Sequence, residues 1–265
     1  MGSPRLNAEV LLMFTLSCDR AYLYAHPERE LTVAELDRYE EVLQERMRGM
    51  PSQYITGHQE FWGLDLIVTP AVLIPRPETE HIVEAVLALV SKEFPERNPR
   101  ILDVGTGSGC IALALASELP PAEIWAIDIS PAALEIARAN AVRLQLAGHV
   151  RFLQSDLLEN VPREQRFDLV VSNPPYVGEG EEDRVQREVR KFEPREAVFA
   201  GQDGMDVISR LIPQAQACLV EGGSLLIEIG CTQECGVRSL LLRWSDVRAV
   251  PDLQGIPRVI VARRT

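Results

Sequence analysis

The chain has 265 residues, a formal net charge of −12 and a hydrophobic fraction of 46%. No apolar run approaches the roughly 18 to 20 residues that a membrane-spanning helix needs, and the acidic balance argues against stable binding to duplex nucleic acid. The five cysteines and four histidines lack the spacing of metal ligands, so no metal site is expected.

The first part of the chain is predicted to be helical. Asn7 is expected to cap a helix over residues 8–16, since asparagine is a preferred N-cap residue. Thr32 and Glu35 form the capping-box pattern at the start of a second helix. These features predict a small helical domain over residues 1–52.

Residues 53–74 have a different texture, because apolar residues alternate there with glycine and proline. This pattern is typical of a short hairpin or an extended linker. From residue 75 to 265 the pattern is that of an α/β domain, whose early strands are continuous apolar runs, as in a buried parallel sheet. The predicted strands are 101–104, 124–128, 150–154, 167–172, 224–229 and 258–263. The predicted helices are 82–90, 111–118, 132–145 and 207–219.

A glycine-rich loop lies where the first strand of this domain ends and a helix begins. It consists of Gly105, Thr106, Gly107, Ser108 and Gly109. Glycines at such a turn let the backbone pass close to a ligand, although a purely structural turn is the alternative.

The residues that flank this loop favour one class of ligand. The dinucleotide fingerprint would require glycine at position 110, which is Cys110. Asp103, two residues before the loop, would repel a pyrophosphate but attract the ammonium and sulfonium groups of a methionine-type ligand. The loop therefore favours S-adenosylmethionine.

Two further acids follow the next strands. Asp128 ends the second strand, where a carboxylate can bind both hydroxyls of a ribose. NAD sites also use a carboxylate at this position, so Asp128 indicates a ribose and not one particular cofactor. The alternative role for Asp128 is that of a helix cap ahead of Pro131. Asp156 follows the third strand and is expected to accept a hydrogen bond from an adenine amine, with a surface cap as an equal alternative.

The second motif, Asn173-Pro174-Pro175-Tyr176, follows a strand at the carboxyl edge of the sheet. Its two prolines fix the backbone and remove two N–H donors. The remaining acceptors are the Asn173 side-chain oxygen and the Pro174 carbonyl, and Tyr176 can lie against a planar group. We expect Asn173, Pro174 and Tyr176 to be catalytic.

This acceptor pair suits a planar amide or exocyclic amine. Two acceptors can hold its two N–H bonds while the nitrogen lone pair turns towards a methyl sulfonium. Positioning can supply roughly 7 to 11 kcal/mol, whereas two hydrogen bonds give roughly 1 to 3 kcal/mol net. Orientation is therefore expected to matter more than acid–base chemistry.

The two motifs together resemble the amino-methyltransferases of the class I S-adenosylmethionine fold. Asn-Pro-Pro-Tyr is shared by N6-adenine DNA methyltransferases and glutamine N5-methyltransferases and does not distinguish them. Other segments closely resemble the PrmC/HemK family, which methylates peptide chain release factors, and the resemblance runs from about Ser3 to Arg263. These segments are 53–63, 72–80 with its Pro-Arg-Pro-Glu-Thr-Glu run, 192–194, 203–204 and 252–258.

The resemblance implies a Rossmann-like, mostly parallel sheet with an antiparallel last strand, preceded by a small helical domain that helps bind the release factor. It implies S-adenosylmethionine as cofactor, S-adenosylhomocysteine as product, and methylation of the glutamine in the Gly-Gly-Gln motif of class 1 release factors. A cytoplasmic monomer without stable nucleic-acid or membrane binding is expected. The cofactor contacts implied are Gly105 to Gly109, Asp128 and Asn173, and the glutamine contacts are Asn173, Pro174, Pro175 and Tyr176.

Two departures from the family pattern qualify these expectations. Leu157 follows Asp156 where family members often carry an aromatic residue, so an apolar contact with adenine is expected instead of stacking. Ser3 matches a point where relatives are already one helix into the N-terminal domain, so the first helix is expected to be missing. Three alternatives stay open: glutamine methylation of a large-subunit ribosomal protein, N6-adenine methylation of DNA, and cofactor sensing without catalysis.

Overall fold

The structure, a computed structural model, describes residues 4–265 and begins with a group of helices. These are α1 (Pro4–Leu16), α2 (Arg20–Ala25), α3 (Val33–Met47) and α4 (Ser52–Thr56). The capping box predicted for α3 is confirmed, because the Thr32 hydroxyl accepts a hydrogen bond from the Glu35 N–H and the Glu35 carboxylate accepts one from the Thr32 N–H.

Some predictions for this region are wrong in detail. Helix α1 begins at Pro4, so Asn7 lies inside the helix, and its side-chain oxygen accepts a hydrogen bond from Arg46 Nε at 2.9 Å. The sequence pattern does not predict α2, which has only six residues and buries none of them. Helix α4 occupies the start of the segment expected to be a hairpin or linker. Residues 1–3 of the predicted helical domain lie outside the described residues.

A two-stranded hairpin and an extended segment join this region to the rest of the chain. Strands β1 (His58–Phe61) and β2 (Leu64–Ile67) pair antiparallel. The Asn140 side chain bonds both backbone groups of Ile67, at 2.7 Å to the N–H and 3.0 Å to the carbonyl. We call the extended segment that follows, residues 68–76, the strap.

Seven further strands of the described chain form one sheet in the order β5-β4-β3-β6-β7-β9-β8. Strands β3 to β7 are parallel, and β9 is antiparallel to both β7 and β8. The predicted mostly parallel sheet with an antiparallel last strand is therefore confirmed. The strands are β3 (Arg100–Val104), β4 (Glu123–Asp128), β5 (Val150–Gln154), β6 (Phe167–Ser172), β7 (Leu219–Glu228), β8 (Trp244–Pro251) and β9 (Pro257–Arg264).

Helices cover both faces of this sheet. Alternate strand residues point to opposite faces, so Ile101 packs in the core under α5 and α6 while Leu102 packs in the core under α9. The chain leaves β3 towards β4 on one side and later returns to β6 on the other. That reversal opens a crevice at the carboxyl ends of these strands. The helices are α5 (Glu80–Glu93), α6 (Cys110–Glu118), α7 (Pro131–Arg143), α8 (Arg187–Phe192), α9 (Asp206–Cys218) and α10 (Glu234–Leu240).

Two strand predictions differ from the structure. Strand β7 starts at Leu219, five residues before the predicted start, because the chain bulges at Gly222 and Gly223 and then resumes pairing with β6. Strand β8 is not predicted, since it lies at the sheet edge and its exposed polar residues hide the strand pattern. None of the helices between residues 4 and 265 is long and apolar enough to cross a membrane.

Candidate active site

A cavity of about 330 Å³ opens at the crevice, a volume typical of a small-molecule site. It is bounded by the glycine-rich loop, the ends of β4 and β6, the strap and the segment after α8. Most residues predicted from the sequence line it: Gly105, Thr106, Gly107, Ser108, Asp128, Asp156, Leu157, Asn173, Pro174 and Pro175. Two predicted residues, Gly109 and Tyr176, do not.

The glycine-rich loop is held against the end of β4 and leaves space above it. The N–H groups of Gly105 and Thr106 both donate to the Ile127 carbonyl at 2.9 Å. Gly105 and Gly107 have φ values of 73° and 57°, in the left-handed region that favours glycine. A Cβ atom added at either glycine would meet no protein atom within 4 Å, so the loop leaves room for a ligand to lie directly against its backbone.

Gly109 has a different role from the other two glycines. It precedes α6 with a φ of 85°, and an added Cβ would lie 3.1 Å from Leu113 Cδ1 and 3.3 Å from Ala137 Cβ. Glycine at this position therefore permits close packing between α6 and α7 and does not open the cavity.

The Asp128 carboxylate anchors the glycine-rich loop and can also accept hydrogen bonds from a ligand in the cavity. Its Oδ2 accepts a hydrogen bond from the Gly107 N–H at 2.8 Å, and its Oδ1 accepts one from the Ser130 N–H at 2.9 Å. Burial raises the pKa of this carboxyl, and the backbone donors oppose that rise. Each oxygen keeps acceptor capacity, which suits the two hydroxyls of a ribose.

Asp103 lies beneath the loop and is fully buried. Thr106 donates its hydroxyl to Oδ2 at 2.6 Å, but Oδ1 has no hydrogen-bond partner. Burial raises the pKa of Asp103 to about 7, against the opposing effect of Thr106. A cation bound above the loop would stabilise the charged form of this carboxyl, which fits the positive groups of S-adenosylmethionine.

Asp156 and Leu157 also line the cavity. Asp156 accepts a hydrogen bond from Arg210 Nη2 at 2.7 Å, and Arg210 itself lines the cavity. Asp156 can still accept further hydrogen bonds, but its contact with Arg210 holds it against α9. Leu157 has a φ of 48° and packs against the core beneath α9.

Asn173 stands at the end of β6 with its side chain oriented by Thr79. Asn173 Nδ2 donates to Thr79 Oγ1 at 3.0 Å. Tyr176 lies behind the motif and does not line the cavity: its hydroxyl donates to Glu228 Oε1 at 3.4 Å, and its backbone carbonyl accepts from Gln233 Nε2 at 2.8 Å. Burial raises the pKa of the Tyr176 hydroxyl.

Sequence reasoning missed several residues that shape the cavity. The strap is fixed by Glu193, whose carboxylate accepts from Arg76 Nη2 at 2.5 Å and from the Ile74 N–H at 3.2 Å. Thr79 and Glu228 are both buried, and they accept hydrogen bonds from the side chains of Asn173 and Tyr176, respectively. Apart from Glu228, the residues that were missed lie in segments 72–80 and 192–194, which carry the family resemblance. That resemblance is the sequence signal that could have identified them.

The sheet order, the glycine-rich loop and the acid at the end of β4 define a class I S-adenosylmethionine-dependent methyltransferase. Residues 81–191 match the family "Methyltransferase small domain". A solved structure of a methyltransferase from Pyrococcus furiosus shares the fold, with a TM-score of 0.54 and 20% identity over 84% of this chain and 98% of that chain.

Residues 1–57 match the family "PrmC N-terminal domain". A release factor glutamine methyltransferase of Koribacter versatilis is 56% identical over 99% of this chain and 92% of its own length. A release factor glutamine methyltransferase of Moorella thermoacetica is 44% identical over 98% of this chain and 92% of its own length. The chain belongs to the release factor glutamine methyltransferase family.

Proposed function

We propose that this chain transfers a methyl group from S-adenosylmethionine to the side-chain amide nitrogen, N5, of the glutamine in the Gly-Gly-Gln motif of class 1 peptide chain release factors. The observation that carries the proposal is that the glycine-rich loop and the Asn173-Pro174-Pro175 segment line one cavity. A cofactor lying on the loop would be next to an amide held by the second motif. The similarity of the whole chain to release factor glutamine methyltransferases supports the same reaction.

On the cofactor side, the glycine-rich loop would hold the methionine part and Asp128 the ribose. Asp156 and Leu157 are proposed to contact the adenine, as a hydrogen-bond acceptor and an apolar surface. When bound, S-adenosylmethionine supplies a methyl carbon attached to a positively charged sulfur that leaves with the electron pair of the S–C bond. The buried carboxylate of Asp103 favours a positive charge above the loop.

On the substrate side, two acceptors are proposed to hold the two N–H bonds of the glutamine amide. These are the Asn173 Oδ1 and the Pro174 carbonyl, and the Pro175 ring supports the planar group. Because both N–H bonds are held, the nitrogen lone pair can turn towards the methyl carbon. As the N–C bond forms, the S–C bond breaks and the nitrogen releases one proton to the solvent. Tyr176 is proposed to act from behind, since its hydroxyl bonds Glu228 and its side chain does not line the cavity.

The wider assignments are proposals of the same kind. We propose a helical domain over 1–52 that helps hold the release factor, a linker over 53–74 that contains most of α4 and the hairpin, and a catalytic domain over 75–265. We also propose that the protein works as a cytoplasmic monomer without metal, membrane or stable nucleic-acid binding. Size-exclusion chromatography with light scattering would test the monomer.

The decisive experiment is transfer of a labelled methyl group to a recombinant class 1 release factor. The matched control is the same factor with the Gly-Gly-Gln glutamine changed to alanine. We expect label on the first protein only. Label on the alanine control would contradict the proposal, and label on a large-subunit ribosomal protein or on duplex DNA instead would favour one of the alternative substrates.

A further inference from the structure

The side-chain amide of Asn173 can serve the proposed reaction in only one of its two orientations. A primary amide has an acceptor oxygen on one side and a donor nitrogen on the other. The substrate amide offers N–H bonds, so Asn173 must turn its oxygen towards it. With the nitrogen turned inwards, two donor groups would face each other and the substrate would lose one acceptor.

Thr79 is the residue that contacts the other side of this amide. It lies at the start of α5, its relative exposure is 2%, and its hydroxyl oxygen accepts from Asn173 Nδ2 at 3.0 Å. Thr79 also borders the cavity, so the contact lies beside the substrate position. A hydroxyl can accept or donate, however, and Thr79 alone does not fix the direction of the bond.

Glu228 supplies the missing direction. It ends β7, its relative exposure is 2%, and its Oε1 accepts from the Tyr176 hydroxyl at 3.4 Å. Glu228 Oε2 is buried without a hydrogen-bond partner, and the Thr79 hydroxyl favours the charged form of this carboxyl, against the effect of burial. An ionised carboxylate can only accept, so a Thr79 hydroxyl that turns towards Glu228 gives it its single proton and leaves its own lone pairs facing Asn173.

We infer that Thr79 is a positioning residue for methyl transfer, which holds Asn173 Nδ2 so that Oδ1 faces the substrate amide, and that Glu228 fixes the direction of this contact from behind. The inference rests on the proposed function and deepens it at the same site. It assigns a role to the threonine of the Pro-Arg-Pro-Glu-Thr-Glu run and to a buried acid that the methyl transfer itself does not use. Neither residue touches the reacting atoms in this assignment.

Two substitutions of Thr79 distinguish the role of its hydroxyl from the role of its side-chain shape. Thr79→Val keeps the branched shape and removes the hydroxyl, whereas Thr79→Ser keeps the hydroxyl and removes the methyl group. Methyl transfer to the release factor gives kcat and KM for each variant, and equilibrium binding gives the Kd for S-adenosylmethionine. Thermal unfolding of each variant shows whether it is folded.

We expect Thr79→Val to lower kcat about tenfold, which corresponds to about 1.4 kcal/mol of transition-state stabilisation. The KM for the factor and the Kd for S-adenosylmethionine should stay within about twofold, since most of the substrate contacts remain. Thr79→Ser should keep kcat within about twofold of the original protein. A threonine that only packed would show the reverse ranking, because valine preserves its volume and serine does not.

The inference is overturned if Thr79→Val retains the original kcat, if Thr79→Ser loses as much as Thr79→Val, or if the whole loss lies in cofactor affinity. Failure of the proposed function gives a different result, because the unmodified protein would then not label the factor or would label the alanine control. If Thr79→Val does not fold, Thr79→Ala replaces it and should show the same split between kcat and KM, since it adds no atoms to the buried site.

Discussion

Asn173 lines the same cavity as the glycine-rich loop, and its amide nitrogen donates a hydrogen bond to Thr79. Replacing it with alanine removes one preorganised acceptor from the substrate. We expect Asn173→Ala to lower kcat on the order of a hundredfold or more, while the Kd for S-adenosylmethionine changes far less. Methyl-transfer kinetics and equilibrium binding measure the two quantities. A kcat close to that of the unchanged protein would remove Asn173 from the mechanism.

Glu228 gives the reaction an expected pH dependence. Burial raises its pKa to about 7; the charge of Glu78 adds to the rise, and the Thr79 and Tyr176 hydroxyls and Arg258 oppose it. In the role inferred for Glu228, the carboxylate is ionised above this pH and can only accept, which directs the Thr79 hydroxyl proton towards it. Below this pH the protonated carboxyl can donate, which releases Thr79 to donate to Asn173 and turns the amide the wrong way. We therefore expect kcat to rise with pH through about 7.

The Glu228→Gln variant tests this assignment, because a glutamine does not titrate. We expect the rising limb of kcat near pH 7 to disappear in this variant, measured by methyl transfer between about pH 5.5 and 9. Asp103 has a pKa of about 7 as well, also raised by burial, and is the other group that could produce the limb. A limb that persists unchanged in Glu228→Gln would point to Asp103 and away from Glu228.

At the scale of elements, the segment between β6 and α9, which includes α8, carries the Asn-Pro-Pro-Tyr motif and folds back on itself. The Val177 N–H donates to the Val198 carbonyl at 3.0 Å, and the Ala200 N–H donates to the Val177 carbonyl at 2.9 Å. Gly204 closes this loop against the motif. It has a φ of 76°, and an added Cβ would lie 2.2 Å from the Tyr176 carbonyl oxygen.

Gly204→Ala is therefore expected to displace the Asn-Pro-Pro-Tyr segment. The strained backbone and the clash cost roughly 1 to 3 kcal/mol, and we expect kcat to fall about tenfold or more with a much smaller change in cofactor affinity. Gly148→Ala is the matched control, because an added Cβ there would meet no atom within 4 Å. Equal kinetics for the two variants would show that the loop does not position the motif.

At the scale of the whole molecule, the cofactor cavity is built from several elements that are distant in sequence, so ligand binding should stabilise the folded chain. At a ligand concentration of about one hundred times Kd, S-adenosylmethionine or S-adenosylhomocysteine is expected to add about 2.7 kcal/mol to the free energy of unfolding. For a chain of this size that raises Tm by about 5 to 10 °C. Thermal unfolding with and without ligand measures the shift.

The same thermal unfolding measurement distinguishes residues that bind the cofactor from residues that bind the substrate. Asn173→Ala should retain most of the ligand-induced rise in Tm, whereas Asp128→Ala should lose most of it at the same ligand concentration, because charge-assisted bonds to the ribose are lost. Each shift is compared with the variant's own Tm, since Asp128 also anchors Gly107 and Ser130. A full shift in Asp128→Ala would contradict its assignment to the cofactor.

Much of the fold and of the site was accessible from the sequence because it depends on local patterns. Apolar periodicity reports which face of a strand or helix is buried, so the parallel strands and their helices could be predicted. Glycines and prolines constrain the backbone at their own positions, and both site motifs follow strands of one sheet. Their common placement at its carboxyl edge is a consequence of parallel strand direction.

The contacts that orient the motifs depend instead on tertiary structure. Thr79 and Asn173 are 94 residues apart, Tyr176 and Glu228 are 52 apart, and Arg76 and Glu193 are 117 apart. No local sequence pattern predicts which hydroxyl contacts which amide. These contacts form only when α5, β6 and β7 pack together. The same reason explains why Tyr176 faces Glu228 and not the cavity. The sequence by itself determined which strands end at the crevice and which two motifs follow them, because both depend on local patterns. Only the tertiary structure decided which side chains of these motifs face the cavity and which way they turn, because their partners are distant in the chain.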